Sequence, residues 1–219
     1  MRMRLLLVVV VVLGTSVVLA ADRNKPHPHK GVLKPYTEPA PLKLSTEETA
    51  QLAGGKAVMR QVEGENGGRG LAVFKVNAPP QTVWNVICDF PQYPKWIKNV
   101  KKTEVYRQEG ENIDVAFTLA GLGFSIDYFI HHVYRHEKLW GTWTLDYSRQ
   151  SDLDDSVGFW RVTPWPGNPE QSQVEYSVDV QVRGWIPGFV RGIIVDNGLK
   201  QATGWVKEQA EARHKAPPR

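Results

Sequence analysis

Hydrophobic and polar residues change rhythm several times along this chain, and each change marks an element. Residues 5–13 are an unbroken apolar run, whereas residues 21–43 show no hydrophobic period. Ser45-Thr46-Glu47-Glu48 opens a short helix with acid in its first turn, and Gly54-Gly55 ends it. "KAVMRQVE" and "RGLAVFKVN" flank the turn-rich "GENGG" and predict a β-hairpin. In "APPQTVWNVICD" the spacing becomes helical. Pro79 or Pro80 suits a first turn, and Val83, Trp84, Ile87 and Cys88 share a face. Pro91 and Pro94 stop that helix, so Phe90, Tyr93 and Trp96 fall in a second short, bent turn that leads into a strand.

Six strand-like segments come next: "VKKTEVYRQ", "ENIDVAFTLA", "GFSIDYFIHHVYRHE", "LWGTWTLDYS", "DSVGFWRVTP" and "QVEYSVDVQVR". "IPGFVRGIIVDNGLKQATGWVKEQAEARHK" then predicts a long terminal helix from Pro187, bent near Asp196-Asn197-Gly198. Phe189, Val190, Ile193, Ile194, Trp205 and Val206 form its apolar side.

Alternation divides the strands into two faces. Phe124, Ile126, Tyr128, Ile130, His132 and Tyr134 share one side, with Asp127, His131 and Arg135 on the other. Ile113, Val115, Phe117 and Leu119 oppose Asn112, Asp114, Ala116 and Thr118. Val174, Tyr176, Val178, Val180 and Val182 oppose Glu175, Ser177, Asp179, Gln181 and Arg183. One antiparallel sheet with an apolar inner face and a polar outer face accounts for all three.

Little on the apolar face could do acid–base chemistry, since it offers only His132 and tyrosine hydroxyls. His131 and His132 point to opposite faces and cannot share a metal. "SDLDD", residues 151–155, lacks the glycine and distal glutamate of a calcium loop and reads as a turn. His27 and His29, flanked by prolines with no third ligand near in sequence, read as solvated linker residues. Neither GxSxG, a P-loop nor HExxH occurs. No catalytic residue, metal or cofactor is expected.

Composition narrows the setting. Arg2 and Arg4 before the apolar run, with Val18-Leu19-Ala20 after it, form the layout of a secretory signal peptide over residues 1–20. An uncleaved anchor is the alternative. Residues 21–43, with five prolines, then predict an extended linker, and residues 44–215 one domain with a 216–219 tail. The net charge of +4 falls to +2 without Arg2 and Arg4, which gives no case for nucleic acid. Cys88, the single cysteine, reads as a buried thiol. Lys95, Lys98, Lys101 and Lys102 beside Trp96 and Ile97 could rest transiently on an anionic membrane surface or be merely solvated.

The order of elements, with "APPQTVWNVICDFPQYPKW" and "RGWIPGFVRGIIVDNGL", resembles the START-like superfamily of lipid-transfer domains, polyketide cyclases and coenzyme Q-binding proteins over about residues 44–212. The resemblance implies an α+β helix-grip fold: a curved antiparallel β-sheet wrapped around a long C-terminal helix, with two short helices after the first strands. It also implies an apolar cavity between sheet and helix. Trp84, Phe117, Leu119, Phe124, Ile126, Tyr128, Ile130, His132, Trp143, Trp160, Tyr176, Val178, Phe189, Ile193 and Ile194 would line it. Gly121-Leu122-Gly123 and Pro187-Gly188 would serve as its gate, while Phe90 and Trp96 would plug one end or shape the wall. The function so implied is the binding, and transfer, of a hydrophobic lipid, sterol or quinone; the leader adds an expectation of export, and a monomer is expected. The alternative is a cyclase or dehydratase in which Arg161, His132 and Tyr176 converge, which requires Arg161 to leave its alternation phase.

Overall fold

In the computed structural model, residues 20–38, 40, 42–64, 67–121, 124–182 and 198–216 are described. Helix α1 (Thr46–Ala53) begins with a capping box: the Ser45 side chain accepts from the Glu48 amide, and the Glu48 carboxylate accepts from the Ser45 amide at 2.8 Å. The hairpin β1 (Val58–Gly64) and β2 (Gly67–Val76) turns where Gly64 pairs with Gly67. Helix α2 (Pro80–Ile87) starts on its proline and buries Val83, Trp84, Val86 and Ile87. Pro91 and Pro94 divide the next stretch of chain into a 3-10 turn (Phe90–Gln92) and a one-turn helix α3 (Tyr93–Trp96).

Strands β3 (Val100–Glu109), β4 (Asn112–Gly121), β5 (Phe124–Arg135), β6 (Trp140–Leu145), β7 (Leu153–Trp165) and β8 (Asn168–Val182) run as a meander, with every neighbour antiparallel. β8 returns to pair with β2, so the curved eight-stranded sheet has the order β1-β2-β8-β7-β6-β5-β4-β3. The free edge of β3 carries exposed Lys101 and Lys102, which discourage pairing with another chain.

Helix α4 (Gly198–Lys215) lies across the concave face and packs on α2 and β2. Leu199, Trp205, Val206 and Ala210 are its buried contacts, and its far end is tied by charge. Glu211 accepts from the Asn77 amide at 2.9 Å, and Arg213 meets Asp89 at 2.5 Å. The bend expected near Asp196 lies outside the described residues, as do residues 183–197 as a whole.

The two-faced reading of the strands holds for the inner surface. Ile113, Val115, Phe117, Ile126, Ile130, Val174 and Tyr176 join one core cluster with α2, α3 and α4. A smaller cluster of Leu52, Val58 and Val73 lies beneath α1 on the opposite side of the β1–β2 hairpin.

The outer face departs from expectation. Residues 20–38 and 40 belong to a strap across the convex side of the sheet rather than a solvated linker. Asp22 forms a β-bridge with Gln150, and the His27 amide donates to the Tyr147 carbonyl at 3.0 Å. The amides of Val32 and Leu33 both donate to Asp155 Oδ2 at 2.7 Å. Tyr36 bonds Ser177 Oγ at 3.1 Å and sets its ring edge-on to Phe159. Arg161 donates to the Ala40 carbonyl at 2.9 Å. Outward-facing Asp155, Glu175 and Ser177 are therefore buried. A proline-rich segment lacks a hydrophobic period, but its backbone donors can still satisfy carboxylates on a sheet. "SDLDD" also differs from the expected turn: β7 begins at Leu153, and Asp152 and Asp155 receive the strap's amides.

Asp155 has no exposed surface and also accepts from Tyr147 at 2.7 Å. Asp155→Ala leaves several buried donors unmet, and chemical denaturation should show a loss of about 3 kcal/mol. Hydrogen exchange should show the Val32 and Leu33 amides losing protection while the β4–β5 amides keep theirs.

Candidate functional site

Between the concave face and α4 lies a cavity of about 240 Å³. Strand alternation sets its walls. Phe117 and Leu119 come from β4, and Ile126, Tyr128, Ile130, His132 and Tyr134 from β5. Trp143 of β6, Trp160 of β7 and Tyr176, Val178 and Val180 of β8 complete the sheet side. Leu199 and Trp205 of α4 face them, and Phe90, Tyr93, Ile97, Asn99 and Val100 close one end. Among the described lining residues none carries a formal charge.

An aromatic lattice holds this space open. Trp205 meets Tyr93 at 4.6 Å, stacks on Trp96 at 5.8 Å and sets its edge toward Trp160 at 6.4 Å. Trp160 in turn meets Tyr176 at 4.3 Å. The Tyr93 hydroxyl donates to the Ile87 carbonyl at 2.5 Å, which fastens α3 to the end of α2. Pro91 and Pro94 thus turn the chain so that Phe90 and Tyr93 enter the cavity wall. Trp96 does not line it: half-buried, it is gripped between Trp205 and the Arg213 guanidinium, 5.1 Å from its ring centre.

His132 is the one imidazole among the described lining residues, and its state is set by its partner. Nδ1 lies 3.1 Å from the Ile113 carbonyl, which can only accept, so Nδ1 carries the proton and Nε2 keeps a lone pair. Burial drives its pKa from 6.5 down to about 3, only partly opposed by the bond to Ile113, so the ring is neutral. Burial likewise raises the hydroxyls of Tyr128 and Tyr176, which stay protonated. The Cys88 thiol, pushed up to about 12 by burial, is no nucleophile.

Of the residues expected at the cavity, Phe117, Leu119, Ile126, Tyr128, Ile130, His132, Trp143, Trp160, Tyr176 and Val178 line it. Trp84 does not. It is buried between α2 and the sheet, where its Nε1 donates to His136 Nδ1 at 3.1 Å and its ring meets Tyr134. Helical phase shows that a residue is buried, not which space it borders. Phe189, Ile193, Ile194, Leu122, Gly123, Pro187 and Gly188, with the side chain of Phe124, lie outside the described residues. Gly121 closes β4 opposite Phe124. Leu153 and Ser156 were missed because a bulge between Leu153 and Asp155 breaks the alternation, so residues of opposite parity both face inward.

Two other clusters sit outside the cavity. Arg161 lies on the convex face against Glu175, away from His132 and Tyr176, so the trio named for a cyclase does not converge. His27, His29 and Asp154 bring possible ligand atoms within 4.8 Å of one another. Backbone amides decide their chemistry. Ser151 donates to His27 Nδ1 at 3.3 Å and Gly31 to His29 Nδ1 at 3.0 Å, which leaves the protons on the two Nε2 atoms. Those atoms donate to the Asp154 carbonyl at 2.9 Å and its carboxylate at 3.1 Å. A metal needs a lone pair at Nε2, so this donor set fits a clasp for the strap better than a metal centre.

Residues 76–203 match the sequence profile of the family described as polyketide cyclase / dehydrase and lipid transport, more than half of the chain. The fold resembles the Zhui aromatase/cyclase of Streptomyces sp. R1128 (17% identity, TM-score 0.57, covering 73% of this chain and 98% of that one). A START superfamily protein of Mycobacterium smegmatis is similar at 15% identity and a TM-score of 0.52, with 72% of this chain and 98% of that one covered. A STAR-related lipid transfer protein of Xanthomonas axonopodis gives 15% and 0.55, with 71% and 92% covered. At these identities the likeness is one of fold. No curated protein matches by sequence.

The depressed His132 pKa has a definite sign in stability. Between pH 6.5 and about 3 the unfolded chain binds a proton that the native His132 refuses, so stability falls as pH drops through that window. In urea unfolding from pH 7 to pH 4, His132→Phe should lose stability less steeply than the wild type.

Proposed function

The chain belongs to the polyketide cyclase/dehydrase and lipid transport family, and on that footing we propose that it binds and carries a hydrophobic small molecule, a lipid, sterol or quinone, outside the cytoplasm. The observation that carries this reading is a cavity walled by apolar and aromatic side chains, with no formal charge among its described lining residues. Such a space excludes water and gains free energy from apolar surface at roughly 25 cal/mol per Å².

Exposed Lys95, Lys98 and Lys101 surround the end where Ile97 and Asn99 meet the cavity, which supports transient contact with an anionic membrane surface during loading. Export rests on residues 1–20 acting as a leader. In support of it, the Ala21 nitrogen donates to Asp152 Oδ1 at 2.7 Å, one residue into the strap. Asp152 is half-buried, its pKa raised by that burial, and no cationic side chain pairs with it among the described residues. Cleavage after Ala20 would place an α-ammonium in that position.

Native mass spectrometry of the protein from its own envelope fraction should show an added mass that extracts into organic solvent. The intact mass of the polypeptide should correspond to a chain starting at Ala21. Ile126→Trp fills the cavity and should cut ligand uptake at least about ten-fold. A wild-type protein that arrives empty and takes up no lipid, sterol or quinone would overturn the carrier reading.

A further inference from the structure

Among the described lining residues the polar side-chain atoms are few, and their hydrogen-bonding capacity is not symmetric. His132 Nδ1 spends its only proton on the Ile113 carbonyl, so the ring offers the cavity nothing but an acceptor at Nε2. No second hydrogen bond to His132 forms within the described residues. Tyr134 approaches it edge-on, with ring centres 5.1 Å apart, and Phe90 covers it at 4.8 Å. The hydroxyls of Tyr128, Tyr134 and Tyr176 likewise bond to nothing among the described residues, and each can donate or accept.

We propose that the cavity selects a neutral apolar molecule bearing a hydroxyl group, which donates its proton to His132 Nε2 and accepts one from a tyrosine hydroxyl. This rests on the cavity being the ligand site and narrows its ligand class. A ketone, quinone or ether can accept from a tyrosine but leaves Nε2 unmatched, and burying an unmatched acceptor weakens binding. A carboxylate or phosphate also has nothing to offer Nε2, and it meets no cation among the described lining residues. A sterol, a long-chain alcohol, a phenol or a hydroquinone satisfies both roles. The hydroxyl end belongs beside His132 and Tyr134, and the hydrocarbon runs toward Ile126, Val178 and Leu199.

Calorimetric titration of the full chain with 2-naphthol, 2-methoxynaphthalene and 2-naphthoate at neutral pH tests this directly. The expected order places 2-naphthol at least about ten-fold tighter than its methyl ether, with the anion weakest. The ether is the more apolar of that pair, so partitioning alone would favour it. His132→Phe should bring the alcohol and the ether within about two-fold while both still bind. Equal binding of alcohol and ether by the wild type, or tightest binding of the anion, would overturn the hydroxyl assignment and leave the cavity as a ligand site. Binding of none of the three would overturn the ligand-site reading, and the hydroxyl assignment with it.

Discussion

The seat of Trp205 governs the interior of this protein. Its ring is held between Tyr93, Trp96 and Trp160, and those three come from separate parts of the chain: the proline-broken turn for the first two and the middle of β7 for the third. Large rigid rings set a minimum separation between helix and sheet that aliphatic side chains would not. α4 therefore settles against α2 and β2 at one side of the concave face, and apolar residues of β4 and β5 line the cavity. Tyr93 keeps its position because its hydroxyl is bound to the Ile87 carbonyl, so the two prolines, the short turn and the cavity form one mechanical unit.

A sheet held apart from its helix needs support from its other side. The strap provides it with polar contacts rather than a second apolar layer: backbone amides meet Asp155, and Tyr36 and Arg161 reach between strap and strands. The cover satisfies Asp155 of β7 and meets Ser177 of β8, while Glu175 beneath it accepts from Arg161 and Gln173 of the sheet, so these residues face away from the core and are still buried. The inner face can then stay apolar and uncharged, the condition under which a lone neutral imidazole such as His132 becomes a selective hydrogen-bond acceptor.

Much of the sheet was legible because strand side chains have a period of two, and β4, β5 and β8 keep it without interruption along the cavity. Ile126, Tyr128 and His132 could be placed on one wall by counting alone. Counting fails where the backbone is irregular. The bulge after Leu153 hid Leu153 and Ser156, and the one-turn helix α3 hid the inward direction of Tyr93, whereas Phe90 was expected at the cavity and lines it. Trp84 was misplaced because a helical stripe touches core and cavity walls alike. The strap was illegible for a different reason: its attachment runs through backbone amides, and side-chain patterns carry no record of those. His27 and His29 looked solvated for the same cause, since their partners are amides and a carbonyl remote in sequence.

Between helix and sheet lies an apolar space large enough to hold a guest. Xenon enters such spaces without needing polar partners. In crystals of ligand-stripped protein pressurised with xenon, ordered xenon is predicted between Ile126, Tyr128, Trp160 and Leu199. Crystals that take up xenon elsewhere but none between those residues would contradict the claim and assign this interior to packing alone.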